Sequence, residues 1–215
     1  MARYDSTGTP SGPRGGQTRL WELVAARALP DANKESIDRR IWDLFGEEWA
    51  VMFTDLSGFS RQVAAFGIIH FLQIIHEQNR LLLPIVGAHD GILIKSDADS
   101  LLIIFRRTES ALRAGIAMQA KCLEYNQDRN PEDKILLCLG IGHGRILRIG
   151  DDEIFGREVN AASKLGEDTA KSDEILLTDA ARQQLSKFPD VSFEELGLEV
   201  PGSTRNFRVG YRVGE

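Results

Sequence analysis

Two hydrophobic periods divide the chain. Short runs of large and β-branched residues, right for buried strands, fall at residues 49–54, 91–95, 100–105, 135–141 and 174–178, with closing strands expected at 191–195 and 206–213. Residues 145–149 suggest a further short strand before a turn at 150–153. Apolar positions at helical spacing mark helices at 59–66, 68–83, 109–126, 155–165 and 179–186. Pro84 is expected to close the second of these. Ahead of the first strand, 20–29 and 36–45 read as two amphipathic helices broken at Pro30-Asp31 and stopped by Gly46. Residues 1–18, rich in Gly, Ser, Thr, Pro and Arg, read as a disordered tail, 19–47 as a helical segment and 48–215 as the main domain. The runs 91–95 and 100–105 form a hairpin inside an αβ alternation. That predicts an α+β fold with a mixed or antiparallel sheet covered by helices, not a doubly wound parallel sheet.

The first strand ends on a carboxylate, Asp55, and Leu56-Ser57-Gly58 turns the chain into the helix that starts at Phe59. A carboxylate at a strand end beside a helix N-terminus suits a metal next to a phosphate, although a capping Asp gives the same pattern. The hairpin tip Lys95-Ser-Asp-Ala-Asp99 carries a second carboxylate. If the first strand lies beside this hairpin, Asp55 and Asp99 converge on a divalent cation. Asn160 and Lys164, four apart on one helix, share a face and offer an amide and a cation to a ribose or phosphate oxygen; a surface pair is the plainer reading.

Composition narrows the classes. A net charge of −6 over 215 residues argues against a polyanion-binding protein, so no nucleic-acid partner is expected. The most apolar stretches, 81–86 and 101–105, are too short to span a bilayer, and no signal peptide is recognisable, which predicts a cytoplasmic protein without a membrane partner. Cys122 and Cys138 form no metal or redox motif and read as buried thiols. His70 and His76 are six apart and do not share a face as a metal pair would; His143, between glycines, reads as a loop residue.

Three separated motifs carry a family resemblance: Phe53-Thr-Asp55-Leu-Ser-Gly-Phe59, Lys95-Ser-Asp-Ala-Asp99, and Glu153-Ile-Phe-Gly156-Arg-Glu-Val-Asn160-Ala-Ala-Ser-Lys164-Leu. In order and spacing the chain from about Trp49 to Val213 resembles the class III nucleotidyl cyclase catalytic domain, the adenylate and guanylate cyclase homology domain. The resemblance implies a ferredoxin-like palm core working as a head-to-tail homodimer, with composite sites at the interface. It implies an NTP substrate and two Mg²⁺ or Mn²⁺ ions per site. Carried over by position, Asp55 and Asp99, with Leu56 beside them, hold the metals. Gly58 and Phe59 help cradle the triphosphate, Lys95 and Glu153 read the base, Asn160 orients the ribose, and Lys164 stands where the family usually has arginine. Ala98 stands where glycine is usual. The triphosphate arginine has no firm position; Arg145, Arg148 and Arg205 are candidates, with Arg145 taken first. ATP cyclised to cAMP is the leading expectation. The alternatives are a pyrimidine cyclase making cUMP or cCMP as an anti-phage signal, and a catalytically dead nucleotide-binding module.

Overall fold

The structure, a computed structural model, describes residues 15–212, and for residues 59–62 the backbone only. The chain divides into two compact units. The smaller holds the described residues up to Glu47 together with Leu147–Ile154. In it, α1 (Gly15–Arg27) and α2 (Lys34–Phe45) bury Leu20, Leu23 and Ile41 against Ile149, with Ile37, Phe45 and Leu147 packed around them. Asn33 caps α2 by accepting from the Ser36 N–H at 3.0 Å, which starts that helix two residues before the apolar pattern does. Residues 15–18, expected in the disordered tail, lie in α1. The rest of that tail, 1–14, is outside the described residues.

The larger unit, Glu48–Ile146 and Phe155 onward, carries the sheet. Its strands are β1 (Gly46–Leu56), β2 (Ile92–Asp97), β3 (Ser100–Phe105), β4 (Leu137–Ile149), β5 (Glu153–Phe155), β6 (Ile175–Thr178), β7 (Ser192–Leu196) and β8 (Asn206–Gly210), some reaching across the unit boundary. The order is β2-β3-β1-β4-β6-β8-β7, with β5 on β4. The β1–β3, β2–β3, β6–β8 and β7–β8 pairings are antiparallel, while β4–β6 is parallel. This is the mixed α+β sheet that the hairpin within the αβ alternation predicts, and it is the palm that the family resemblance implies.

Helices α3 (Phe59–Phe66), α4 (Ile68–Ala88) and α5 (Thr108–Asn126) follow their strands, and α6 (Arg157–Ser163) and α7 (Asp179–Gln184) complete the set. One continuous core joins α4 and α5 to the sheet through Phe71, Ile74, Leu82, Leu112 and Met118 against Met52, Leu101, Ile103 and Phe105. Cys122 and Cys138 are buried and unpaired, and burial pushes both thiols up to about 12.

Several expectations need correction. Helix α4 does not stop at Pro84 but runs on to Ala88. Pro84 lies on an exposed face, so the helical hydrogen bond it forgoes is lost on the solvent side, and Val86 beyond it is buried in the core. Residues 137–149 form one long strand, so His143 is a strand residue. Its ring bonds Thr108 Oγ at 3.1 Å and Glu48 at 3.0 Å. Phe155 and Glu153 belong to a strand, and α6 begins at Arg157. After Ser163 that helix widens into a π segment over Lys164–Thr169, where the Ala170 N–H reaches back to the Leu165 carbonyl at 2.8 Å. The last strand ends at Gly210, and Val213 lies outside the described residues.

Candidate active site

The register of β1 and β3 builds the centre of the site. Thr54 pairs with Leu101, so Asp55 leaves β1 opposite the start of β3, next to Asp99. Buried Thr54 fixes this register further, its Oγ accepting from the Leu101 N–H at 3.2 Å. Ser100 Oγ donates to Asp55 at 3.2 Å, the Asp55 and Asp99 carboxyls lie near enough for their charges to interact, and the Leu56 N–H favours the charged form of both. Burial, followed by the nearby Asp99 charge, pushes the Asp55 carboxyl up to about 7, against the pull of the Ser100 and Leu56 donors. Burial also raises Asp99, while the backbone N–H of Asp99 itself and of Leu56 oppose it.

Two carboxylates close together, Asp99 buried and Asp55 half-buried, with raised pKa values suit a divalent cation, which would remove both the repulsion and the desolvation cost. Among the described residues no group of three or more His, Cys, Asp or Glu side chains is arranged for a metal. An ion here would take the two carboxylates and draw its other ligands from carbonyl, water and phosphate oxygens. The donor set therefore fits a hard divalent cation and not a closed structural site.

The hairpin tip is bent by Ala98, whose φ of 51° lies in the left-handed region where glycine is more comfortable. A register shift between Leu93 and Lys95 turns the Lys95 side chain outward. There Lys95 pairs with Asp97 at 2.9 Å, both exposed. Gly58, at φ 90°, is the last residue before α3 and makes the left-handed turn between the end of β1 and that helix's N-terminus. The Phe59 side chain lies outside the described residues.

Asn160 and Lys164 are exposed on α6 and the π segment, joined by the Lys164 N–H to the Asn160 carbonyl. The Lys164 ammonium is held by Asp168 at 2.6 Å. Glu153 sits on β5 and belongs to the other compact unit from Lys95. Arg205, a triphosphate candidate, is committed to Glu195 and Asp179. Arg145 is exposed on β4, and Arg148, further along, lies 4.0 Å from Asp151. His70 bonds the Glu132 carbonyl at 3.0 Å, a structural tie, and His76 is exposed.

Two residues that the sequence reading passed over hold this arrangement in place. Gln78, fully buried on α4, donates to the Asp99 main-chain carbonyl at 2.8 Å. Glu158, buried at the start of α6, accepts from Thr178 Oγ at 2.8 Å and from the His143 N–H at 3.2 Å. It thereby ties the helix bearing Asn160 to β4 and β6. A polar residue on the core face of a long apolar helix was the available signal for Gln78. Glu158 gave none, because its burial follows from tertiary packing.

Residues 46–209 match the model of the adenylate and guanylate cyclase catalytic domain. The chain belongs to that family. "Putative adenylate cyclase 3" of Rhizobium meliloti (strain 1021) is 28% identical over 165 residues, 76% of this chain. "Serine/threonine-protein kinase pkn2" of Myxococcus xanthus is 27% identical over 130 residues, 60% of this chain. The chain spans only 26% and 15% of these two curated relatives. Among solved structures, an adenylate/guanylate cyclase/hydrolase from Silicibacter pomeroyi superposes with a TM-score of 0.64 at 26% identity, covering 76% of this chain and 95% of that one. No described helix of this cyclase domain is long and apolar enough to cross a membrane.

Proposed function

We propose that this domain converts a nucleoside triphosphate, with ATP as the leading substrate, to its 3′,5′-cyclic monophosphate and pyrophosphate. The observation that carries the reading is the Asp55–Asp99 pair at the joined ends of β1 and β3, inside a domain of the cyclase family. Asp55, Asp99 and the Leu56 carbonyl would hold two Mg²⁺ or Mn²⁺ ions. Bound there, such ions lower the pKa of the ribose 3′-OH and neutralise charge on the phosphoryl oxygens. The backbone amides after Gly58 receive phosphate oxygens at a helix N-terminus. Lys164 brings positive charge to the α-phosphate as the 3′-oxygen attacks in line, and Asn160 holds the ribose.

For the base, Lys95 donates to adenine N1 and Glu153 accepts from the exocyclic amine. We further propose a head-to-tail homodimer in which one copy supplies the aspartates and the other Asn160 and Lys164. Exposure of Asn160 and Lys164 supports this, as do the exposed apolar residues Phe66, Ile68, Ile69 and Leu72 along α3 and α4.

The test is purified protein with Mn²⁺ and each of ATP, GTP, CTP and UTP, the products separated by chromatography. Cyclic AMP from ATP is expected. Cyclic UMP or CMP alone would overturn the adenine assignment in favour of a pyrimidine cyclase. Absence of pyrophosphate release from all four would leave a dead nucleotide-binding module.

A further inference from the structure

Away from the aspartate pair, the larger unit has a cavity of about 370 Å³ beside α5. That volume is in the range of small-molecule sites, roughly 300–1,000 Å³. Its walls are apolar, with Ile116 on α5, Phe188 beyond α7 and the ring of Tyr211 among them. The Tyr211 hydroxyl is already committed, donating to the Asp173 carbonyl at 2.6 Å, so this residue offers the cavity its ring. The rim carries Arg113, Arg212, His89 and a single acid, Asp190.

The two arginines distinguish this cavity from an ordinary surface dent. Arg113 lies with its guanidinium 4.7 Å from the centre of the Phe188 ring. Neither Arg113 nor Arg212 makes an ion pair among the described residues, whereas Arg205 and Arg208 are each held by two carboxylates. Two guanidiniums without an ion pair among the described residues, beside an apolar wall, select one kind of guest. An anionic head takes their forked donors, and an apolar body fills the space against Phe188 and Tyr211.

We propose that this cavity binds a small organic anion with an aromatic or acyl body, held through Arg113 and Arg212. The proposal goes beyond the cyclase reading and does not depend on it.

The test uses 4-phenylbutyrate as the probe and 4-phenylbutanol as its uncharged counterpart. Both are titrated into the full chain by calorimetry and amide NMR. The acid is expected to bind with a Kd below about 1 mM, the alcohol about tenfold or more weakly. Amide shifts should centre on residues 113–120 and 188–212. Arg113→Gln and Arg212→Gln should each weaken the acid about fivefold or more and leave the alcohol unchanged. Both variants alter exposed side chains, and an unchanged Tm checks that they fold. Equal affinity for acid and alcohol would reduce the cavity to an apolar dent and overturn the proposal. So would acid binding that survives both substitutions, or no binding at about 10 mM. A protein ending at Arg212 is titrated in parallel. Acid binding that appears only in that protein would make the chain's own C-terminal residues the occupant and would also overturn the proposal.

Discussion

Gln78 and Asp99, 21 residues apart, are joined by a hydrogen bond from the buried Gln78 amide to the Asp99 main-chain carbonyl at 2.8 Å. The bond ties a helix in the core to the tip of the hairpin that carries Asp99, a proposed metal ligand. Gln78→Leu keeps the apolar packing and leaves that carbonyl unpaired, at about 1–3 kcal/mol. The expected result is a folded protein with a lower Tm and Mn²⁺ affinity reduced about threefold to tenfold, read by thermal melts and calorimetry. Unchanged Mn²⁺ affinity would deny Gln78 a part in positioning Asp99.

Glu158 and Thr178 form a second buried bond, and Thr178 Oγ also caps α7 by accepting from the Ala181 N–H at 3.2 Å. Thr178→Val removes both interactions while conserving volume. A loss of about 2–4 kcal/mol is expected, from one charge-assisted bond and one cap. At this chain length that is a fall in Tm on the order of 5–15 °C. Gly140→Ala should be worse, because its Cβ would stand 2.1 Å from the Ala162 carbonyl oxygen, a backbone atom with little room to move. Little soluble folded protein is expected from it.

The Asp55 carboxyl, raised to about 7, gives the metal-free protein a definite pH dependence. In the unfolded chain an aspartate titrates near 3.9, so between about 4 and 7 the folded state holds a proton that the unfolded state has lost. Stability is therefore fullest below about 4 with respect to this group, falls as pH rises to about 7, and levels off above. The raised Asp99 acts with the same sign. Cation binding displaces the proton, so Mn²⁺ affinity should climb with pH up to about 7 and then flatten. Melts at pH 5.5 and 8 with and without Mn²⁺ test this, and the Mn²⁺ stabilisation should be larger at pH 8. Asp55→Asn should abolish most of the Mn²⁺ effect and make the metal-free protein less sensitive to pH.

How far the sequence discloses this protein depends on what each residue's neighbours in the chain say about it. Strand β1 and the hairpin are visible as short apolar runs, and Asp55 and Asp99 stand out as carboxylates at their ends. Their adjacency rests on the β1–β3 pairing, which joins segments 45 residues apart and which only the register reveals. The continuity of β4 was hidden because Gly142, His143 and Gly144 look locally like a loop. Those glycines instead make room for Glu158, whose atoms lie within 3.0 Å of where a Cβ on either would sit. The widening of α6 into a π segment was equally hidden. Gly140 on β4 and Gly166 in the π segment approach closely there, a contact no helical period encodes.

Lys164 gives a prediction about chemistry. Its ammonium is paired with Asp168 on an exposed helix face, where such a pair contributes little to stability. Arginine in its place would present two parallel donors to a phosphoryl oxygen pair. Lys164→Arg should raise kcat severalfold with little change in Tm or Mn²⁺ affinity. Lys164→Met should lower kcat about 10²–10³-fold, as removal of a charge-stabilising donor does. Steady-state pyrophosphate release measures both. An inert Lys164→Met would remove Lys164 from the catalytic machinery.

The composite dimer predicts complementation. Asp99→Ala and Asn160→Ala should each be inactive in every copy of a homodimer. If the aspartates come from one chain and Asn160 from the other, a heterodimer of the two variants has one site with both defects and one with neither. Random pairing at equal concentrations makes about half the dimers mixed, each with one intact site of two, so activity should recover to about a quarter of wild type. Differently tagged variants, co-purified through both tags, isolate the heterodimer, which should then reach about half. Recovery would follow from shared sites alone, since a site contained within one chain keeps one defect in every combination. Tandem-purified heterodimers without pyrophosphate release would exclude the head-to-tail arrangement and return all the catalytic residues to a single chain.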